Sequence, residues 1–197
     1  MLKANTPNFW LLDPKTKEAR QLTFGTLDFR SDCTPDGKTL YYLDSLPVDG
    51  VTRIFKLLID GGHPTEVARG NIESLKISPD GKYLAYFDHE GAGASGQEKI
   101  VIRLLSTNAV VKEVDAPLGF EIGWSPDSRS VTYLRVGSNS QDLYLRSIEG
   151  GSPIRIMHFE EEPSSIESYA WSKDGRKIAV RRARFNDTDI VLFTGLR

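Results

Sequence analysis

The sequence predicts an all-β fold, a β-propeller with about four blades of four-stranded antiparallel sheet. Two observations carry this expectation. A six-residue unit occurs four times, as Cys33-Thr34-Pro35-Asp36-Gly37-Lys38, Ile77-Ser78-Pro79-Asp80-Gly81-Lys82, Trp124-Ser125-Pro126-Asp127-Ser128-Arg129 and Trp171-Ser172-Lys173-Asp174-Gly175-Arg176. Its aspartates stand 44, 47 and 47 residues apart, and a fixed period in this range marks a blade repeat. No segment keeps a helical period, whereas short runs rich in Val, Ile, Tyr, Phe and Leu recur between Gly, Pro, Asp and Asn.

The unit is a turn between two strands. Pro79 presets a turn φ, Asp80 can hydrogen-bond the backbone ahead of it, and Gly81 accepts positive φ. Pro35, Asp36 and Gly37, Pro126 and Asp127, and Asp174 and Gly175 take the same places. The residue that opens each unit ends an innermost strand. Cys33, Ile77, Trp124 and Trp171 are therefore expected in the core, with Cys33 as a small buried hydrophobe rather than a reactive thiol.

Residues 9–13 and 19–23 read as strands around the turn Pro14-Lys15-Thr16-Lys17, a partial blade over 8–24. The first full repeat, 27–68, has strands at 27–32, 39–43, 53–59 and 65–68. The second, 72–115, has strands at 74–77, 83–88, 99–105 and 110–114. The third, 119–160, has strands at 121–124, 130–136, 143–147 and 154–157. Its turn Glu149-Gly150-Gly151-Ser152-Pro153 copies Asp60-Gly61-Gly62-His63-Pro64. The last repeat, 165–194, has strands at 168–171, 177–182 and 189–193.

This makes 17 strands, one more than a closed ring of four four-stranded blades holds. Strand 19–23 could complete the last blade, but strand 9–13 would then have no slot. The simpler expectation is an array that begins mid-blade, part of a larger propeller with exposed blade edges. With no linker or low-complexity stretch, residues 1–197 read as one domain.

Composition narrows the function classes. A net charge of −2 argues against direct nucleic-acid binding. The single cysteine rules out an internal disulfide. No run reaches the roughly 18 apolar residues that a membrane helix needs, so no membrane insertion is expected. The first eight residues lack the apolar core of a signal peptide. The default placement is cytoplasmic, or periplasmic if the chain is cut from a longer precursor.

The segments with chemical potential each have a plainer reading. Gly91-Ala92-Gly93-Ala94-Ser95-Gly96 matches a dinucleotide-binding spacing, but a strand follows it where a helix N-terminus is required. Position 97 is Gln, so the nucleophile-elbow pattern fails as well. His63, His89 and His158 fall in different repeats without metal-ligand spacing, and only His89-Glu90 lies in a loop long enough to face a ligand. Asp187 and Asp189 with Asn186 lack the Gly and distal Glu of a calcium loop. Arg181-Arg182-Ala183-Arg184 alternates across a strand, without aromatics to stack bases, and reads as a solvated edge or an interblade salt bridge. Glu160-Glu161-Glu162 reads as a solvated acidic run. No catalytic group, metal or cofactor is expected.

The Trp-Ser-Pro-Asp-Gly-Lys-like units at 77–82, 124–129 and 171–176 and the Asp/Glu-Gly-Gly-x-Pro turns at 60–64 and 149–153 resemble the TolB-like, WD-like β-propeller family over about residues 9–194. The resemblance implies a non-enzymatic module that binds a protein or peptide partner. Related propellers serve the periplasmic Tol system, prolyl-oligopeptidase-type peptidases as their non-catalytic gating domain, and bacterial signalling proteins as a sensory or scaffold part. The ending Asp189 to Arg197 resembles the signalling group.

Overall fold

A computed structural model describes residues 7–25, 27–45, 50–89, 97–117, 119–137, 140–160, 164–184 and 187–194. All regular structure among them is β, in 17 strands. A hairpin of β1 (Trp10–Leu12) and β2 (Ala19–Gln21) comes first. The first blade is β3 (Asp28–Cys33), β4 (Thr39–Ser45), β5 (Thr52–Leu58) and β6 (Thr65–Gly70). The second is β7 (Ile72–Ile77), β8 (Tyr83–Asp88), β9 (Gln97–Leu104) and β10 (Val110–Pro117). The third is β11 (Gly119–Trp124), β12 (Ser130–Val136), β13 (Ser140–Ser147) and β14 (Ile154–Glu160). The fourth has three strands, β15 (Ser164–Trp171), β16 (Lys177–Arg184) and β17 (Asp187–Thr194). Every blade is an antiparallel meander in chain order. Among the described residues β2 pairs with β1 alone and does not complete the fourth blade.

The blades stack face to face, and the core lies between them. Strand β8 shows why its sequence is apolar almost throughout. Leu84 and Tyr86 face the first blade, in a cluster with Tyr41, Leu43 and Ile54. Ala85 and Phe87 face the third, with Ile122, Val131 and Tyr133. A period of two still operates, but both faces are dry. Full burial of a side chain such as Phe87 contributes roughly 1.5–3 kcal/mol. Strand β16 is one-sided: Ile178 and Val180 pack on Leu134 and Leu143 of the third blade, while Lys177 and Arg181 are exposed. At the other end Phe9 and Leu22 of the hairpin segment cover Tyr42 and Leu57 of the first blade.

The first strands β7, β11 and β15 are longer than their alternation suggests, and all four first strands share a feature that explains it. Each carries a register shift against its neighbour, between Phe29 and Ser31, Ile72 and Leu75, Gly119 and Ile122, and Ile166 and Ser168. An extra residue breaks the period of two, so the readable pattern stops at the bulge while the ladder continues beyond it.

Candidate functional site

The four repeat turns share one bonding scheme. Ser78 Oγ donates to Asp80 Oδ1 at 2.6 Å, which also accepts from the Lys82 amide at 3.1 Å, while the Tyr83 amide donates back to Ser78 Oγ at 2.9 Å. Thr34 and Asp36, Ser125 and Asp127, and Ser172 and Asp174 repeat the short hydroxyl–carboxylate bond at 2.6 Å. Hydroxyl and amide donors hold Asp36, Asp127 and Asp174 below the usual carboxylate range. At Asp80 burial opposes the charge, and the Ser78 hydroxyl with the Lys82 amide outweighs it, so this carboxyl is also low. Gly37, Gly81 and Gly175 have φ near +70°, and Ser128 holds the same place with φ 62°.

Successive turns touch. A Cβ on Gly81 would lie 3.2 Å from Pro35, and one on Gly175 would lie 3.6 Å from Pro126. The Asp80 amide donates to Ser128 Oγ at 3.0 Å. The turns therefore form a continuous row along one side of the array.

The residue opening each unit reaches toward the preceding blade. Ile77 is buried, and its amide donates to Asp32 Oδ2 at 2.9 Å. Trp124 is buried, stacks on Tyr83 at 6.0 Å, and its Nε1 donates to the Lys76 carbonyl at 3.1 Å. Two expectations need correction. Cys33 is exposed, not core, because no described blade offers it an innermost strand to pack on. Trp171 packs against the cluster of Leu134, Leu143 and Ile178 as expected, but it is only half-buried, with its Nε1 shielded but unpartnered.

The first strands line the inner side of the array, since β3 packs beside β7, β7 beside β11, and β11 beside β15. Their bulges turn charged residues outward there. Arg30 Nη1 lies 3.3 Å from Glu121 Oε2, joining the first blade to the third past the second. Arg30 has φ 42°, a backbone conformation uncommon for a non-glycine residue. Glu167 pairs with Arg181 of the adjacent strand at 2.8 Å. His89 Nδ1 lies 2.8 Å from buried Glu98 Oε1, and its Nε2 lies 3.1 Å from Glu73 Oε2, off the hydrogen-bond direction. This row of Glu73, Glu121 and Glu167 with Arg30, His89 and Arg181 was not legible from motifs. Its signal is the polar residue that interrupts each inner strand six or seven positions before the turn aspartate.

The remaining residues singled out from sequence are scattered. His63 is exposed, and His158 Nδ1 lies 2.6 Å from Asp142 Oδ1 on the neighbouring strand. Arg181 is exposed and pairs within its own blade, which fits the solvated-edge alternative at that residue. Residues 90–96, Asn186, Glu161 and Glu162 lie outside the described residues, as do the side chains of Glu160, Arg184, Asp187 and Asp189. Among the described residues no histidine bonds a hydroxyl or thiol nucleophile, and no three His, Cys, Asp or Glu side chains converge as metal ligands.

No family model matches the chain. It is 30% identical over 163 residues to an uncharacterized protein from Agrobacterium fabrum, covering 80% of this chain and 51% of that one. Its fold is similar to TolB from Acinetobacter baumannii, with a TM-score of 0.73 and 19% identity over 94% of this chain and 45% of that chain. It is similar too to the β-propeller domain of the Trilobed protease from Pyrococcus furiosus, described as having an open velcro topology. That match has a TM-score of 0.67 and 14% identity over 95% of this chain and 59% of the other. The chain spans about half the length of the relative and of the TolB it matches. The repeat turns, the blade order and these likenesses together identify the fold as a TolB-like β-propeller array.

Proposed function

We propose that the chain is a non-enzymatic protein- or peptide-interaction module, the sensory or scaffold part of a larger bacterial protein. The observation that carries this reading is the inner row of charged side chains, presented from bulges on stacked sheets. Rigid blades with outward-turned polar residues suit recognition of another chain. No step of chemistry is asked of the row: its carboxylates face cations or a histidine, without a nucleophile beside them. Likeness to a TolB favours a periplasmic placement over the cytoplasmic default. The residues 1–197 are taken as one domain, able to self-associate through exposed blade edges.

The test is a peptide library displayed on phage and panned on the purified chain, with the Glu121→Lys variant as counter-selection. Enriched peptides that bind the native chain and lose at least tenfold in affinity to E121K support the reading. No enrichment, or binding indifferent to residues 30, 73, 121 and 167, overturns it.

A second reading is a gating propeller of a prolyl-oligopeptidase-type hydrolase whose catalytic domain lies outside this sequence. Likeness to a protease propeller domain favours it. A Gly-x-Ser-x-Gly domain in the same reading frame would support it.

A further inference from the structure

Two neighbouring gaps between blades carry the same tryptophan slot and are filled differently. Between the second and third blades Trp124 stacks on Tyr83, with ring centroids 6.0 Å apart and planes 23° from parallel. Tyr83 lies five residues after Ser78, the first polar residue of its turn. Five residues after Ser125, at the equivalent place facing Trp171, stands Ser130. The ring that fills the one gap is missing from the other.

What remains is a groove of about 780 Å³ lined by Ser130, Pro126, Leu145, Ile154 and Trp171. That volume lies within the range of ligand-binding clefts, about 300–1,000 Å³. Asp127 and Asp174 also line it. Neither has a cation within ion-pair distance among the described residues; hydroxyl and amide donors of the turns hold both carboxyls below the usual range, with a smaller contribution from Arg129 at Asp127 and from Arg176 and Lys177 at Asp174. Arg155, the cation in the lining, already lies 3.8 Å from Asp142. Ile154 is 61% exposed and Trp171 only half-buried, a large apolar area for a rigid interblade gap to leave open.

We propose that this groove binds an aromatic side chain of a partner polypeptide, next to a basic residue. The ring lies over Trp171 as Tyr83 lies over Trp124, and the neighbouring ammonium or guanidinium meets Asp127 and Asp174. Offset stacking of two rings contributes about 0.5–1.5 kcal/mol beyond the area it covers. The inference rests on the interaction reading above and names a second surface, on the turn side of the array, with the chemistry it accepts.

The test follows the three indole N–H resonances of the 15N-labelled chain, with Trp171→Phe assigning the one of interest. The probe is the unlabelled peptide acetyl-Gly-Lys-Trp-Lys-Gly-amide. The controls replace its Trp by Leu, or both Lys by Glu. The expected result is a saturable shift of the Trp171 resonance with the probe, at least tenfold weaker with either control. Ser130→Tyr should supply the missing ring internally, raise the melting temperature and abolish the response. Ile154→Lys, at the exposed rim, should abolish it without touching the core and keeps the test valid if Ser130→Tyr folds poorly. A Leu peptide as effective as the probe, or a response that survives both variants, overturns the inference. Probe binding felt only by residues 30, 73, 121 and 167 overturns this groove and leaves the interaction reading standing. Failure of every panned peptide overturns that reading itself.

Discussion

The backbone amide of Asp80 donates to the hydroxyl of Ser128 at 3.0 Å, which ties the turn of the second blade to that of the third. Ser128 stands where the other repeats have glycine, and it holds φ 62° while buried. Two effects oppose one another here. The left-handed backbone costs a serine roughly 1–2 kcal/mol relative to glycine. The hydroxyl supplies an acceptor to a part-buried amide, worth roughly 0.5–1.5 kcal/mol. Ser128→Ala keeps the strain and loses the acceptor, so it should destabilise by about 0.5–1.5 kcal/mol. Ser128→Gly loses the acceptor and relieves the strain, so its loss should be smaller by about 1 kcal/mol. Urea midpoints at unchanged slope separate the two. Equal losses would show that the backbone strain contributes nothing.

The two slot tryptophans should respond differently to truncation. Trp124→Phe leaves the Lys76 carbonyl without its indole donor and should cost about 1–3 kcal/mol. Trp171→Phe removes an indole nitrogen that is shielded and unbonded, so the lost area and the relieved polar group offset one another to within about 1 kcal/mol. Thermal melts of both variants check this. An equal cost at both sites would mean that Trp171 is held as firmly as Trp124.

These contrasts show what the sequence makes legible. The turns were readable because each is a local device: Ser78, Asp80 and Gly81 act within six residues and need no distant partner. The strand count was readable for the same reason. The slot residues were only partly readable, because their burial depends on the neighbouring blade. Cys33 and Trp124 hold the same place in the repeat, yet one is exposed and the other buried. Least legible were the charged inner row and the open groove. Both depend on interblade distances, such as Arg30 to Glu121 and Ser130 to Trp171, that no local pattern encodes.

The stability of the chain should depend on pH with two opposite signs. Asp28 is buried, shares a ladder position with Asp44, and has a raised pKa, from burial first and from Asp44 in addition, against the lowering bond from Thr23. Its native state binds a proton more tightly than its unfolded state. Stability from this group is therefore present below the ordinary carboxylate pKa and falls as pH rises through the native value. The low turn carboxyls Asp36, Asp80, Asp127 and Asp174 act the other way, with stability present above the unfolded pKa and lost as pH falls through the native values. Asp28→Asn keeps acceptors for Thr23 and the Gly25 amide and removes the buried charge. It should raise the melting temperature at pH 7, with a gain that vanishes below about pH 4. A gain that persists in acid would assign the effect to packing instead of charge.

Cys33 gives a chemical test of the array's open first blade. Its side chain is exposed, so iodoacetamide should modify the native protein without denaturant. Its pKa is nevertheless raised, by partial burial first and by the Asp32 carboxylate second. The thiolate is the attacking species, so labelling at pH 7.5 should be several-fold slower than for a free cysteine. Asp32→Asn removes the charge and keeps one of the two acceptor oxygens that the Cys33 and Ile77 amides use, and should speed labelling about two- to fivefold. Mass spectrometry over time reads both rates. Labelling that waits for unfolding would mean that the thiol is covered, as a slot beside another blade would cover it.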